Sequence, residues 1–91
     1  MGVYTAIRAL NGVTNYINKN NIDIGKPKKK TYRAIDEHLN SVFHKFGNEN
    51  NIKMEKNNSR NYRGSYSPVA SNAIKVQENW ELFKQWLSDN Y

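Results

Sequence analysis

Apolar residues recur at helical intervals in the last third of the chain. They are Val69, Ala73, Val76, Trp80, Phe83 and Leu87, separated by 4, 3, 4, 3 and 4 positions. Alternating intervals of three and four place such residues on one face of a helix. Ser67 offers a hydroxyl that caps a helix, and Pro68 suits a first helical position. The pattern therefore predicts one helix over about 68–88.

A second stripe predicts a helix over about 32–46. Its members are Tyr32, Ile35, Leu39, Val42, Phe43 and Phe46. Thr31 is the expected N-cap, and Gly47 is the expected end of the helix. Acidic Asp36 and Glu37 lie early in this segment, where the helix dipole favours them.

The N-terminal segment fits a helix better than a hairpin. An acceptable helical stripe is formed by Val3, Ala6, Ile7, Leu10, Val13 and Ile17. The dipeptide Asn11-Gly12 is a strong hairpin signal, but the strict alternation of a strand is poor on both sides of it. We therefore predict a helix and keep the hairpin as the alternative.

Two stretches lack helical periodicity. Residues 18–30 resemble a linker, and Lys26-Pro27-Lys28 disfavours a helix there. Residues 47–66 are polar and form either a long loop or a short basic β-hairpin that pairs Ile52–Lys56 with Arg60–Tyr66. The prediction is a mainly α fold of two or three helices, with the hairpin left open.

Composition limits the class of protein. Ninety-one residues, of which 37% are hydrophobic, predict one small basic domain over 1–91 with a modest core. The apolar seam of its C-terminal helix favours a homodimer. The lack of Cys excludes a disulfide scaffold and a thiolate metal site. No apolar run is long enough to span a membrane and no signal peptide is evident, so we expect a cytoplasmic protein. Fifteen Asn residues indicate A/T-rich codons, and hence a low-GC bacterium or one of its phages or mobile elements.

The net charge of +6 is concentrated in two segments. Residues 26–33 carry five cations and no acid: Lys26, Lys28, Lys29, Lys30 and Arg33. Such a cluster beside a helix can bind phosphates, because each phosphate contact releases condensed counterions. The alternative is a solvated linker that keeps the protein soluble.

The second basic segment interleaves cations with aromatic rings. Its candidate nucleic-acid contacts are Lys53, Lys56, Arg60, Tyr62, Arg63 and Tyr66. Arg and Tyr side chains can follow a nucleic-acid backbone and stack on bases. The alternatives are an adaptable protein-binding loop or an ordinary surface loop.

Two tryptophans are candidates for a protein interface. Trp80 lies on the C-terminal stripe, and its ring is expected to contribute chiefly to the core. Trp86 lies on the flank of that stripe, from which it could anchor a dimer or a partner protein. The alternative is that Trp86 rests on the 47–66 loop.

The chain contains no evident catalytic constellation. There is no carboxylate pair, no metal-spaced cluster and no Gly-rich phosphate loop, so we expect neither an enzyme nor a cofactor. Arg33 and His38 form an R-x4-H spacing that resembles the active-site motif of HEPN-type ribonucleases, although Ala34 replaces the polar residue usual after the Arg. The resemblance covers two residues and implies a ribonuclease.

These observations favour a non-enzymatic accessory or regulatory protein that binds nucleic acid, either DNA or RNA. A protein-binding inhibitor or adaptor is the alternative hypothesis, and the ribonuclease is the third.

Overall fold

Four helices form the part of the chain that the structure describes. The computed structural model describes residues 3–56 and 68–91. The helices are α1 (Val3–Lys19), α2 (Tyr32–Asn50), α3 (Pro68–Glu78) and α4 (Trp80–Asn90). The mainly α prediction is confirmed, with four helices in these ranges instead of two or three. None of the described helices is both long and apolar enough to cross a membrane.

The N-terminal segment is a helix, as predicted. Helix α1 runs through Asn11 and Gly12 without interruption. It buries one apolar face, made of Ala6, Ala9, Val13 and Ile17. Ile7 of the predicted stripe is 41% exposed, and Ala9 takes its place on the buried face. Gly12 leaves room for the side chain of Gln77, whose Nε2 donates to the Ala9 carbonyl at 3.4 Å. This glycine therefore serves a contact between helices and not a turn.

The predicted end of α2 at Gly47 is wrong. The helix continues to Asn50, and Asn51 adopts the left-handed conformation with φ 58°. Asn is the usual substitute for Gly at this position, and the Ile52 amide donates to the Gly47 carbonyl at 2.9 Å. Gly47 is buried because the returning chain passes directly over it.

The hairpin proposed for residues 47–66 is not borne out. Residues 47–50 belong to α2, and no strand occurs within the described ranges. Residues 51–56 return along α2 as irregular chain. The remainder of the proposed hairpin, with Ser67 as the predicted helix cap, lies outside the described residues.

The single C-terminal helix predicted over 68–88 is two helices. Asn79 breaks it with φ −120° and ψ 39°. Its Nδ2 donates to the Lys75 carbonyl at 2.9 Å and ends α3, while its own carbonyl accepts from the Phe83 amide at 2.9 Å and begins α4. Asn side chains compete in this way with helical hydrogen bonds. The apolar intervals continue unchanged across the break, so periodicity alone could not reveal it.

Aromatic rings join α2 to α4. Phe83 is fully buried, and its ring centroid lies 5.0 Å from that of Phe46 and 6.0 Å from that of Phe43. Trp86 completes the cluster at 5.9 Å from Phe83. The edge-to-face pairs among these rings add attraction beyond the area that they bury.

A buried amide fixes the chain that follows α2. Asn72 on α3 accepts from the Glu55 amide at 2.7 Å and donates to the Glu55 carbonyl at 2.8 Å. The same side chain donates to Asn40 Oδ1 on α2 at 2.7 Å. Both asparagines are buried, so these bonds satisfy groups that would otherwise be costly to bury. One side chain thus joins α2, α3 and the returning segment.

We expect Gly47→Ala to lower the free energy of unfolding by about 1–3 kcal/mol, because overpacking forces a backbone shift. The new methyl group would meet the Ile52 carbonyl and lie 2.8 Å from Met54 Cγ. Chemical denaturation measures the loss. Gly12→Ala is the matched control, since its methyl group meets only the flexible end of Gln77 and gains helix propensity. Equal stability of both variants would contradict the close approach at Gly47.

We expect Asn72→Ala to destabilise the fold by about 1–3 kcal/mol, since it removes the three hydrogen bonds that the buried Asn72 side chain makes with Glu55 and Asn40. Asn48→Ala makes the same change on the exposed face of α2 and should have little effect. Thermal or urea unfolding compares the two variants. Similar losses in both would show that the amide of Asn72 has no special role.

Candidate nucleic-acid interface

The first predicted basic cluster lies at the start of α2. We call residues 26–31 the basic loop; its four lysines are all exposed. The predicted cap is confirmed, because Thr31 Oγ1 accepts from the Ala34 amide at 3.1 Å and the Thr31 carbonyl accepts from the Ile35 amide at 3.0 Å. The loop therefore enters α2 at its N-terminus, where the helix dipole is positive and favours anions.

The residues just before the basic loop are held against the helices. Ile22 and Ile24 pack against the core, and His38 Nε2 donates to the Ile24 carbonyl at 2.8 Å. Gly25 has φ 90°, a left-handed conformation, and its amide donates to Asp23 Oδ1 at 3.0 Å. The part of the chain predicted as a linker is thus anchored by apolar contacts and by one histidine.

Arg33 has an acidic partner on α2. Its Nε lies 3.0 Å from Glu37 Oε1, one helical turn further along, and both side chains are about half exposed. Lys26 and Lys28 line a hollow of about 370 Å³ together with Ala34, Glu37 and His38. The basic surface therefore contains one acid, placed beside its arginine.

The sequence pattern misplaced Tyr32. It assigned Tyr32 and Ile35 to the buried stripe of α2, but Tyr32 is 91% exposed and Ile35 is 46% exposed. The buried part of α2 begins only at Leu39, because the other helices do not cover its first turn. One signal in the sequence could have found Tyr32, which lies two residues after the lysine run.

An apolar cleft of about 270 Å³ adjoins this end of α2. It lies between the end of α1, the segment before the basic loop and the start of α2. Its apolar lining consists of Ile17, Ile22, Ile24, Pro27, Ile35 and Leu39. Five polar residues line the cleft as well: Thr14, Asn18, Asp23, Asp36 and His38. Partial burial raises the pKa of the Asp36 carboxyl.

The second predicted basic segment is described only in part. Lys53 and Lys56 are exposed on the chain that returns along α2. Lys75 Nζ donates to the Lys53 carbonyl at 2.8 Å, which helps to fix that chain. The other predicted contacts in this segment lie outside the described residues: Arg60, Tyr62, Arg63 and Tyr66.

The tryptophan candidates pack within the chain. Trp86 is 6% exposed, and its ring centroid lies 5.4 Å from that of Phe46 and 5.7 Å from that of Tyr91. Trp80 is half-buried and makes an edge-to-face contact with Tyr16 at 5.1 Å. The interface role of these residues stays a prediction, but Trp86 lacks the exposed ring from which it was inferred.

The R-x4-H pair is engaged in contacts within the chain. Arg33 faces Glu37, while His38 Nε2 lies on the Ile24 carbonyl. His44 Nε2 makes a similar contact with the Glu55 carbonyl at 2.8 Å. A carbonyl oxygen only accepts, so each of these ring nitrogens carries a proton. Across residues 3–56 and 68–91, no group of three or more His, Asp or Glu side chains is placed to hold a metal ion.

Comparisons of the chain with protein-family models, with curated proteins and with solved structures yield no match.

We expect Asp36→Asn to raise stability at neutral pH, because burial penalises the charged carboxylate. A carboxyl whose folded pKa is raised contributes stability below its unfolded pKa and loses it as the pH rises through the folded pKa. The variant should therefore have a higher free energy of unfolding than wild type at neutral pH, and this gain should disappear near pH 3, where the Asp36 carboxyl is protonated in both the folded and the unfolded state. Unfolding experiments across this pH range measure it, with Glu49→Gln, an exposed acid on α2, as the control. A gain that is independent of pH would contradict this cause.

Proposed function

We propose that the chain is a non-enzymatic nucleic-acid-binding protein that contacts phosphates through the basic loop and Arg33. One observation carries the proposal: four exposed lysines lie within the six residues that precede the positive end of a capped helix. Lysine is a compact point charge that suits phosphate contacts without reading sequence. The A/T-rich codons that the fifteen Asn residues indicate fit a protein of a low-GC phage or mobile element, in which it would have an accessory or regulatory role.

Electrostatics within the chain support an anionic partner. The first turn of α2 contains no acid that would neutralise the helix dipole. Placing four lysines at the same end adds repulsion, since cations are unfavourable at the N-terminus of a helix. A polyanion relieves both unfavourable terms at once, and nucleic acid is a polyanion with closely spaced phosphate charges.

The four lysines set the expected salt dependence. For a single strand, log affinity should fall with log salt at a slope of about −0.7 per phosphate neutralised, or about −3 for four contacts. We expect the triple variant Lys28→Gln, Lys29→Gln, Lys30→Gln to bind more weakly and to reduce the steepness of this slope by about 2. Fluorescence anisotropy with short oligonucleotides at several salt concentrations measures both quantities.

A charge-matched variant controls for net charge. Lys45→Gln, Lys75→Gln, Lys84→Gln removes the same three charges from the later half of α2, from α3 and from α4. This control should keep most of the affinity and most of the slope. Equal weakening of the two triple variants would show that only overall charge matters, and binding that is insensitive to salt would contradict the proposal.

A further inference from the structure

We infer that the surface at the start of α2 binds single-stranded nucleic acid in preference to duplex, with the Tyr32 ring as a platform for an unpaired base. The inference rests on the proposed function and names its substrate class. It depends on three features of the described residues: the exposure of Tyr32, the apolar surface beside it and the charge around it.

Tyr32 contributes almost nothing to the fold. Tyr32 is 91% exposed, whereas the other exposed large apolar residues in the described part of the chain are 41–46% exposed. Side chains of a helix tilt toward its N-terminus, so a ring at the first position of α2 projects toward the basic loop. An aromatic ring left in water beside several cations has the arrangement of a single-strand binding surface, where bases stack and lysines hold phosphates.

The apolar surface continues beyond this ring. Ile35 lies three positions after Tyr32, so the two side chains are neighbours on the helix surface. Ile35 is 46% exposed and also lines the apolar cleft, next to Pro27. A base stacked on Tyr32 therefore has Ile35 as an apolar neighbour. Bases buried within a duplex cannot use such a surface.

Charge and stacking predict opposite preferences. Duplex has the higher charge density, so a surface made only of lysines binds duplex more tightly than a single strand of equal length. Stacking on an aromatic ring is available only to an unpaired base, and each stacked base strengthens binding by at least about fivefold. A preference for the single strand would therefore indicate stacking on the Tyr32 ring, since attraction to the lysines alone favours duplex.

The experiment compares the full chain with three variants by fluorescence anisotropy at physiological salt. Probes are 12-nucleotide oligothymidylate, oligouridylate of equal length, an abasic strand and a 12-base-pair duplex. We expect wild type to prefer the two base-containing single strands. Tyr32→Ala should weaken their binding at least about fivefold, leave the abasic strand and the duplex unchanged and thereby remove the preference.

Two further variants make the result specific. Tyr32→Phe keeps the ring and should retain the preference. Tyr91→Ala removes another exposed tyrosine, at the far end of the chain, and should not alter it. Because Tyr32 is exposed, its replacement should leave the circular dichroism spectrum and the unfolding temperature unchanged, which excludes misfolding as the cause of a loss.

The outcomes separate this inference from the proposed function. If all probes bind with salt dependence but duplex binds best and Tyr32→Ala has no effect, the inference fails and the proposed function stands. If no nucleic acid binds at physiological salt, both fail, and a protein partner becomes the explanation for the exposed ring. If Tyr32→Ala removes the preference for single strands and oligothymidylate and oligouridylate bind with different affinities, the inference holds and the preferred strand is identified.

Discussion

Helix α3 is largely buried, and its burial between the other helices constrains how they are arranged. Its buried positions cover more than half of its circumference: Pro68, Val69, Ala70, Asn72, Ala73 and Val76. The helix packs against α1, α2 and α4. With 11 residues it is about 16 Å long, whereas α2 with 19 residues is about 28 Å long. Because α3 is shorter, it cannot cover the whole of α2. The uncovered part of α2 packs against other segments or is exposed to solvent.

The parts of α2 that α3 does not cover differ in what packs against them. At the later end, Phe46 packs against Phe83 and Trp86, so α4 takes over where α3 stops. In the middle, the amides of Asn40 and Asn72 hold the returning chain over the helix. At the first turn there is no comparable cover within the described residues, and only the segment that contains Ile22 and Ile24 packs nearby. The exposed ring of Tyr32 and the half-exposed Ile35 follow from that mismatch in length.

Local signals in the sequence predicted much of the fold and about half of the candidate site. Threonine capping at Thr31 and the stripe of α1 were sufficient, because each depends on neighbouring residues alone. The break at Asn79 and the extension past Gly47 were not predictable in this way. In both cases an asparagine ends the helix, Asn79 through its side chain and Asn51 through its left-handed backbone. Helix ends are usually marked in a sequence by Gly or Pro, and the apolar intervals do not change at Asn79. Lys26–Arg33 was recognisable from charge, but the exposure of Tyr32 depends on where α3 begins in space, which no local pattern encodes.

The ion pair between Arg33 and Glu37 has a consequence for the way charge is presented at the start of α2. The pair joins two side chains one helical turn apart, so the guanidinium lies along the helix. Arg33 is thus a planar cation with a defined position on α2, whereas each of the four lysines of the basic loop has a compact charge on a flexible stem. One end of the helix therefore combines a single oriented cation with four that can adjust their positions.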